Sequence, residues 1–287
     1  MSQSQPALYG VLGGLDSQVI TYVPATTPWS GLLLPLGIAG AAAALAADHN
    51  DSSTPQPSPA PTPEPTPTAG NSISGIITAG PILGGNDLMV KAYKADGVSR
   101  LGTARVDAGG HYEVSLGDYI GVVIVRASNQ GTAADHLDEA SNSAQDLGIT
   151  LLAMGFAGAG NTIININPLT SLAALKAGIQ AAELTTDGIL NADDVARVNA
   201  AVGEVFGVRD LTGTTPVTTV AAGGGANPAY QPEDGLSNAE MLGALLAALS
   251  GTDQAQGNSL AVQNLLVGQL TLDGTTATLG SAAIDAL

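Results

Sequence analysis

The sequence predicts a mixed fold: an antiparallel β-sandwich over 72–167, then a small all-α helical domain over 168–287. An N-terminal hydrophobic helix at 29–47 and a proline-rich linker over 48–71 come first. Short alternating runs separated by Gly and Asp turns fill the middle of the chain, which argues for strands. After Pro168 the apolar period changes from 2 to about 3.6. Ahead of Ser72 the sequence breaks into an irregular piece, an uncharged apolar run and a proline repeat.

Residues 1–28 are polar to mildly apolar, and Gly13, Gly14, Pro24 and Pro28 interrupt any regular period. Residues 29–47 carry no charge. A helix over them rises about 28 Å, close to the hydrocarbon thickness of a bilayer. Trp29 suits the interface, Gly37 and Gly40 allow close packing, and Pro35 lies one turn in. Two other readings stand beside an anchor. A signal peptide needs a basic n-region, and the first basic residue is Lys91, although Ala44-Leu45-Ala46 resembles a cleavage site. An Ala-rich helix buried in a soluble domain is the other. From Pro55 to Pro67 every second residue is proline, which rules out helix and sheet. Residues 54–68 are expected to form an extended spacer roughly 45 Å long.

Strands are expected at Ile73–Thr78, Leu88–Lys94, Leu101–Val106, Tyr112–Leu116 and Tyr119–Ala127, with turns at Asp96-Gly97 and 107–110. A polar stretch, 128–146, precedes two closing strands at Leu147–Met154 and Thr162–Asn167. Helices follow. Leu169, Leu172 and Ile179 share one face, and Val195, Val198, Val202, Val205 and Phe206 form the stripe of a second helix begun by Asn191-Ala-Asp-Asp194. Ser237 and Glu240 give the capping-box spacing of a third helix, Ser237–Leu249, and Leu260–Leu270 is a fourth. The loop 207–235 is too long to be featureless if ordered.

Composition narrows the function. Hydrophobic residues make up 45% of the chain and aromatics 3%, and charged residues are only 11%, so Ser, Thr, Asn, Gln and Gly cover much of the surface. The net charge of −17 and a pI near 4.1 exclude a nucleic-acid partner, because phosphates are held by Lys and Arg. With no cysteine there are no disulfides, thiolate metal sites or Cys nucleophile. No Gly-x-Ser-x-Gly, His-Glu-x-x-His, phosphate-loop or dinucleotide motif occurs, and no enzyme activity is expected.

Ile73-Ser-Gly-Ile-Ile-Thr78, the strand ending Lys91-Ala-Tyr-Lys94, and Val106-Asp-Ala-Gly-Gly-His-Tyr112 together resemble the carboxypeptidase-regulatory-like and Cna-B-like modules. That resemblance implies an Ig- or prealbumin-like sandwich. Further on, Ile164-Asn-Ile-Asn-Pro-Leu-Thr170, 198–207, Thr214-Thr-Pro-Val217, 235–240 and 247–251 resemble the helical module that follows such sandwiches in large bacterial adhesins. It implies a non-enzymatic adhesion or biofilm protein at the cell surface, held to the membrane through 29–47, with other surface proteins or matrix glycans as partners. The chain ends at Ala286-Leu287 soon after a helix, which suggests the N-terminal piece of a longer protein. No Lys–Asn isopeptide is expected, because Lys91 and Lys94 lie in the second strand.

Three groups of candidate site residues remain. Asp187, Asn191 and Asp194 match the second half of a calcium-binding loop, with Gly188 at the sharp turn. Calcium is the one cofactor the sequence raises. Glu183 and Thr185 fill the first-half positions poorly, so a turn before an N-capped helix is the competing reading. His49, His111 and His136 are scattered, and Asp135-His-Leu-Asp-Glu139 reads as a solvated loop or, less simply, a metal cluster. A glycan-binding sandwich is the alternative function. Its stacking residues would be Tyr93, Tyr112 and Tyr119, with Tyr93 and Tyr112 in one exposed row.

Overall fold

The computed structural model describes residues 20–21, 70–179, 190–256, 261–273 and 276–285. The apolar stretch 29–47 and nearly all of the linker lie outside them. No helix among the described residues is long and apolar enough to cross a membrane. The architecture is mixed, mostly antiparallel sheet with a few helices.

In chain order the strands are β1 (Ile20–Thr21), β2 (Asn71–Ile76), β3 (Leu88–Lys94), β4 (Arg100–Arg105), β5 (His111–Gly117), β6 (Gly121–Asn129), β7 (His136–Asp138), β8 (Ser143–Gln145), β9 (Leu151–Ala157) and β10 (Asn161–Ile163). Helices α1 (Pro168–Lys176), α2 (Ala192–Val205), α3 (Asn238–Gln256) and α4 (Ala261–Gln269) follow. Strands β11 (Leu270–Asp273) and β12 (Thr276–Leu279) and a final turn of helix, α5 (Ser281–Ile284), close the order. One four-stranded sheet runs β4-β3-β6-β9, all antiparallel, and a three-stranded sheet runs β10-β2-β5. In the latter β10 is parallel to β2, a pairing that period-2 alternation cannot distinguish from the antiparallel one expected.

Alternation does its expected work in β3. Leu88, Val90 and Ala92 are buried, whereas Met89, Lys91 and Tyr93 are half-buried on the other face. In β5, Tyr112, Val114 and Leu116 are buried and His111, Glu113 and Ser115 are exposed. Ile73, Val90, Tyr112, Val123, Val125, Leu151 and Ile164, drawn from both sheets, share one apolar core. Burying each such side chain is worth about 1.5–3 kcal/mol.

A second core lies on the opposite face of β6 and β9. Val122, Ile124, Leu152 and Met154 meet Leu169 and Leu172 of α1, Val198 and Val202 of α2, and Leu242, Leu245 and Leu249 of α3. The change of period at Pro168 therefore marks a change of element, while the apolar contact runs across it. Helix α1 is buried from Leu169 to Ala174 and has no solvent face, unlike the amphipathic α2. Asn167 caps α1: its Oδ1 accepts from the backbone of Leu169 and Thr170, Thr170 Oγ1 accepts the Asn167 N–H, and Pro168 takes the position where no N–H is needed.

Strand β9 begins at Leu151, later than the sequence suggests. The C-terminal part is not all helix either. Leu270 leaves α4 for the hairpin β11–β12, where the Thr-rich alternation of 270–279 prevails, and β1 pairs with β12. The long loop 207–237 is ordered against α3: Val217 N–H donates to Ala239 O at 3.0 Å. Gly243 makes this approach possible, because a Cβ there would lie 1.8 Å from Val217 O, whereas one at Gly251 would meet nothing within 4 Å. Gly243→Ala should therefore lower stability in urea denaturation by about 1–3 kcal/mol. Gly251→Ala in the same helix should raise it by up to about 1 kcal/mol, the ordinary helix-propensity gain. Equal effects from the two would refute the close packing.

Candidate functional site

Of the calcium-loop residues, Asp187 lies outside the described residues. The other two work together as a helix start. Asn191 Oδ1 accepts from Asp194 N–H at 2.9 Å, Asn191 Nδ2 donates to Asp194 Oδ2 at 2.6 Å, and Asp194 Oδ1 takes Arg197 at 3.0 Å. Both side chains are thus engaged in capping α2 and neutralising its first turn. Among the described residues no group of three His, Asp or Glu side chains is arranged to hold a metal ion.

The tyrosines do not form a row. Tyr112 is 4% exposed between the sheets and donates its hydroxyl to Ile164 O, and burial pushes its pKa up beyond the usual phenol range. Tyr93 lies on the outer face of the β4-β3-β6-β9 sheet, and Tyr119 donates to Val122 O at 2.8 Å beneath Lys94.

The segment expected to be a solvated loop is a buried polar junction. Asp135, His136 and Glu139 are 0%, 9% and 4% exposed. The hairpin β7–β8 folds across the 81–87 segment, with an isolated bridge between Ile82 and His136. Asp135 accepts the Asp87 N–H at 2.9 Å and the Leu147 N–H at 3.1 Å. Asp138 Oδ1 accepts from the Ser141 backbone and hydroxyl, and its Oδ2 accepts from Ser250 of α3 at 2.7 Å. Glu139 Oε1 accepts from Thr219 N and Oγ1 at 2.7 and 2.8 Å, and its Oε2 is buried without a partner. Each acidic side chain here therefore fastens a different stretch of backbone.

These positions shift the titrations. Burial pushes Glu139 up, against the donors from Thr219 and Val220. Burial also works to raise Asp138, but the hydroxyls of Ser141 and Ser250 outweigh it and hold the carboxyl below its usual value. Burial pushes the His136 imidazole down despite the carboxylates of Asp138, Asp135 and Asp146.

A cavity of about 70 Å³ opens beside the hairpin, walled by His136, Asp138, Ser250, Asp253 and Gln263 and by Leu246, Leu249 and Leu266. Ser, His and Asp meet there, but in the wrong order for nucleophile activation. The Ser250 hydroxyl donates directly to Asp138, and His136 Nδ1 is buried without a partner, so no imidazole links hydroxyl to carboxylate. The sequence carried a signal for this junction: three acids and a histidine crowd around Leu137 in a chain that is only 11% charged.

Among the described residues, then, strands and helices share two cores and the polar side chains serve mainly as internal fasteners. Comparison of the chain with family models, with curated proteins and with solved structures finds no match.

His136 gives a pH test. Its folded pKa is depressed, so the unfolded chain binds the proton more readily. The stability it contributes is present above its ordinary value of 6.5 and lost as the pH falls through that value towards the folded one. Raised Glu139 and Asp253 act in the opposite sense, gaining stability as the pH falls. Comparing urea midpoints at about pH 7.5 and 5.5, His136→Gln should remove a loss of stability on acidification that the parent chain suffers. An identical pH response in both proteins would contradict the buried, neutral imidazole.

Proposed function

We propose that this chain is a non-enzymatic structural or adhesive module of a bacterial-type cell surface. Residues 29–47 hold it to the membrane and the proline repeat of 54–68 lifts the folded part outward. One observation carries this reading: many of the buried polar side chains among the described residues fasten the chain to itself. Asp135, Asp138, Glu139, Asn165, Asn167, Ser171 and Glu240 each accept from, or donate to, groups of another segment or a helix start. Such cross-linking suits a rigid displayed body and leaves few groups poised for chemistry. In this reading the two sheets sharing the first core are a sandwich of Ig or prealbumin type, and the helices brace its outer face.

The second reading is a glycan-binding module. The burial of Tyr112 weighs against a stacking platform, but a basic dent elsewhere on the sheet gives the reading a different footing.

Protease treatment of intact producing cells, followed by fractionation and peptide mass spectrometry, tests the first reading. Peptides from 72–287 should appear in the medium while 29–47 stays with the membrane fraction. A chain fully protected inside the cell would overturn it.

A further inference from the structure

We infer that the dent around Lys91 and Arg126 binds the carboxylate of an acidic sugar, a uronic acid unit of a polysaccharide. The inference does not depend on where the chain resides.

Among the described residues, the fold leaves one pair of basic residues without an ion-pair partner. The chain has 8 basic residues against 25 acidic ones. Two of the 8, Lys91 and Arg126, stand directly opposite each other on β3 and β6. Like charges in directly opposed positions destabilise a sheet. Nevertheless, among the described residues the ion pairs within 4.0 Å involve His111 and Arg197, not these two. Arg126 reaches Thr150 Oγ1 only at 3.5 Å, and its Nε is shielded from solvent with no acceptor. Both cations line one dent, and an oxyanion held between them is the group that relieves the cross-strand repulsion.

Position explains why the dent stays open. Arg126 pairs across the sheet with Leu152, and Leu152, Ile124 and Met154 on this face are covered by the helices. Lys91 and Arg126 share the row of Leu152, and on their side of it the same face turns from apolar to basic. The concavity there is about 430 Å³.

Its lining selects the ligand. Ser128, Asn129, Gln130 and Thr150 surround the two cations, and Asp146 adds a carboxylate. Two positive charges and one negative leave a single net positive charge, which suits a carboxylate better than a doubly charged phosphate. Hydroxyl and amide side chains around it match the hydroxyls of a sugar ring. No aromatic residue lines the dent, so recognition there is polar and not by stacking.

The test uses the full chain and isothermal titration at low ionic strength, with trigalacturonate, neutral galactotriose and inorganic phosphate as probes. Trigalacturonate should bind and galactotriose should not. Lys91→Gln and Arg126→Gln should each weaken binding by about tenfold or more, and added salt should weaken it further. Lys94→Gln, an exposed basic residue on the same strand outside the dent, should leave it unchanged. Far-UV circular dichroism reports whether each variant folds; if Arg126→Gln does not, Lys91→Gln decides. Absence of trigalacturonate binding, or binding that survives Lys91→Gln, overturns the site. Equal binding of phosphate makes it a general anion site and overturns the sugar assignment.

Discussion

The structure depends most on how the outer edge of β9 is closed. Leu152 is fully buried, so its outward backbone N–H and C=O cannot reach water. A buried, unpaired backbone group costs about 1–3 kcal/mol. No strand pairs here; helix α1 supplies the partners from its first turn. Ser171 Oγ accepts the Leu152 N–H at 2.7 Å, and Thr170 Oγ1 donates to Leu152 O at 2.8 Å. Asn199 of α2 does the same for Met154 O at 2.9 Å. Side chains thus stand in for a neighbouring strand and protect an edge that would otherwise invite pairing with another chain.

This arrangement fixes where α1 begins. Thr170 and Ser171 reach β9 only if Asn167 caps the helix and Pro168 opens it. Once α1 is placed, its buried flanks order α2, α3 and α4 over the same sheet face and close the second core. Acidic side chains then complete the ties that apolar packing leaves loose. Glu139 binds the hairpin β7–β8 to the 219–220 backbone, and Glu240 accepts from Gln231 N–H at 2.7 Å while capping α3 with Ser237. A chain with few charges uses several of them inside, where each carboxylate collects two or more donors and is worth more than on the surface.

Much of this was legible in the sequence where a single periodicity acts alone. Strand β3 occupies Leu88–Lys94, as its alternation requires, and the valine stripe of α2 and the Ser237–Glu240 box of α3 sit as their spacing implies. Legibility failed where a segment is buried on all sides or made of polar residues. Helix α1 has no amphipathic period because its whole circumference is covered from 169 to 174. The Asp135–Glu139 segment looks solvated because local composition does not show that its carboxylates will meet backbone donors from residues 87, 147 and 219. Strand β10 pairs in parallel with β2 across a long sequence separation, and no local pattern encodes the direction of such a pairing. At the candidate sites, the Asn191–Asp194 spacing serves a helix cap as well as a calcium loop. The Lys91–Arg126 apposition exists only through the β3–β6 register.

The central claim is that the sheet and the helices form one cooperative unit through the closed edge of β9. Hydrogen exchange under native conditions tests it most directly, by comparing peptides covering β9, α1 and α3 in the parent chain and in Ser171→Ala. All three should be protected with similar opening free energies, and the substitution should lower them together. Helical peptides that exchange far more readily than β9, with β9 unaffected by the substitution, would contradict it.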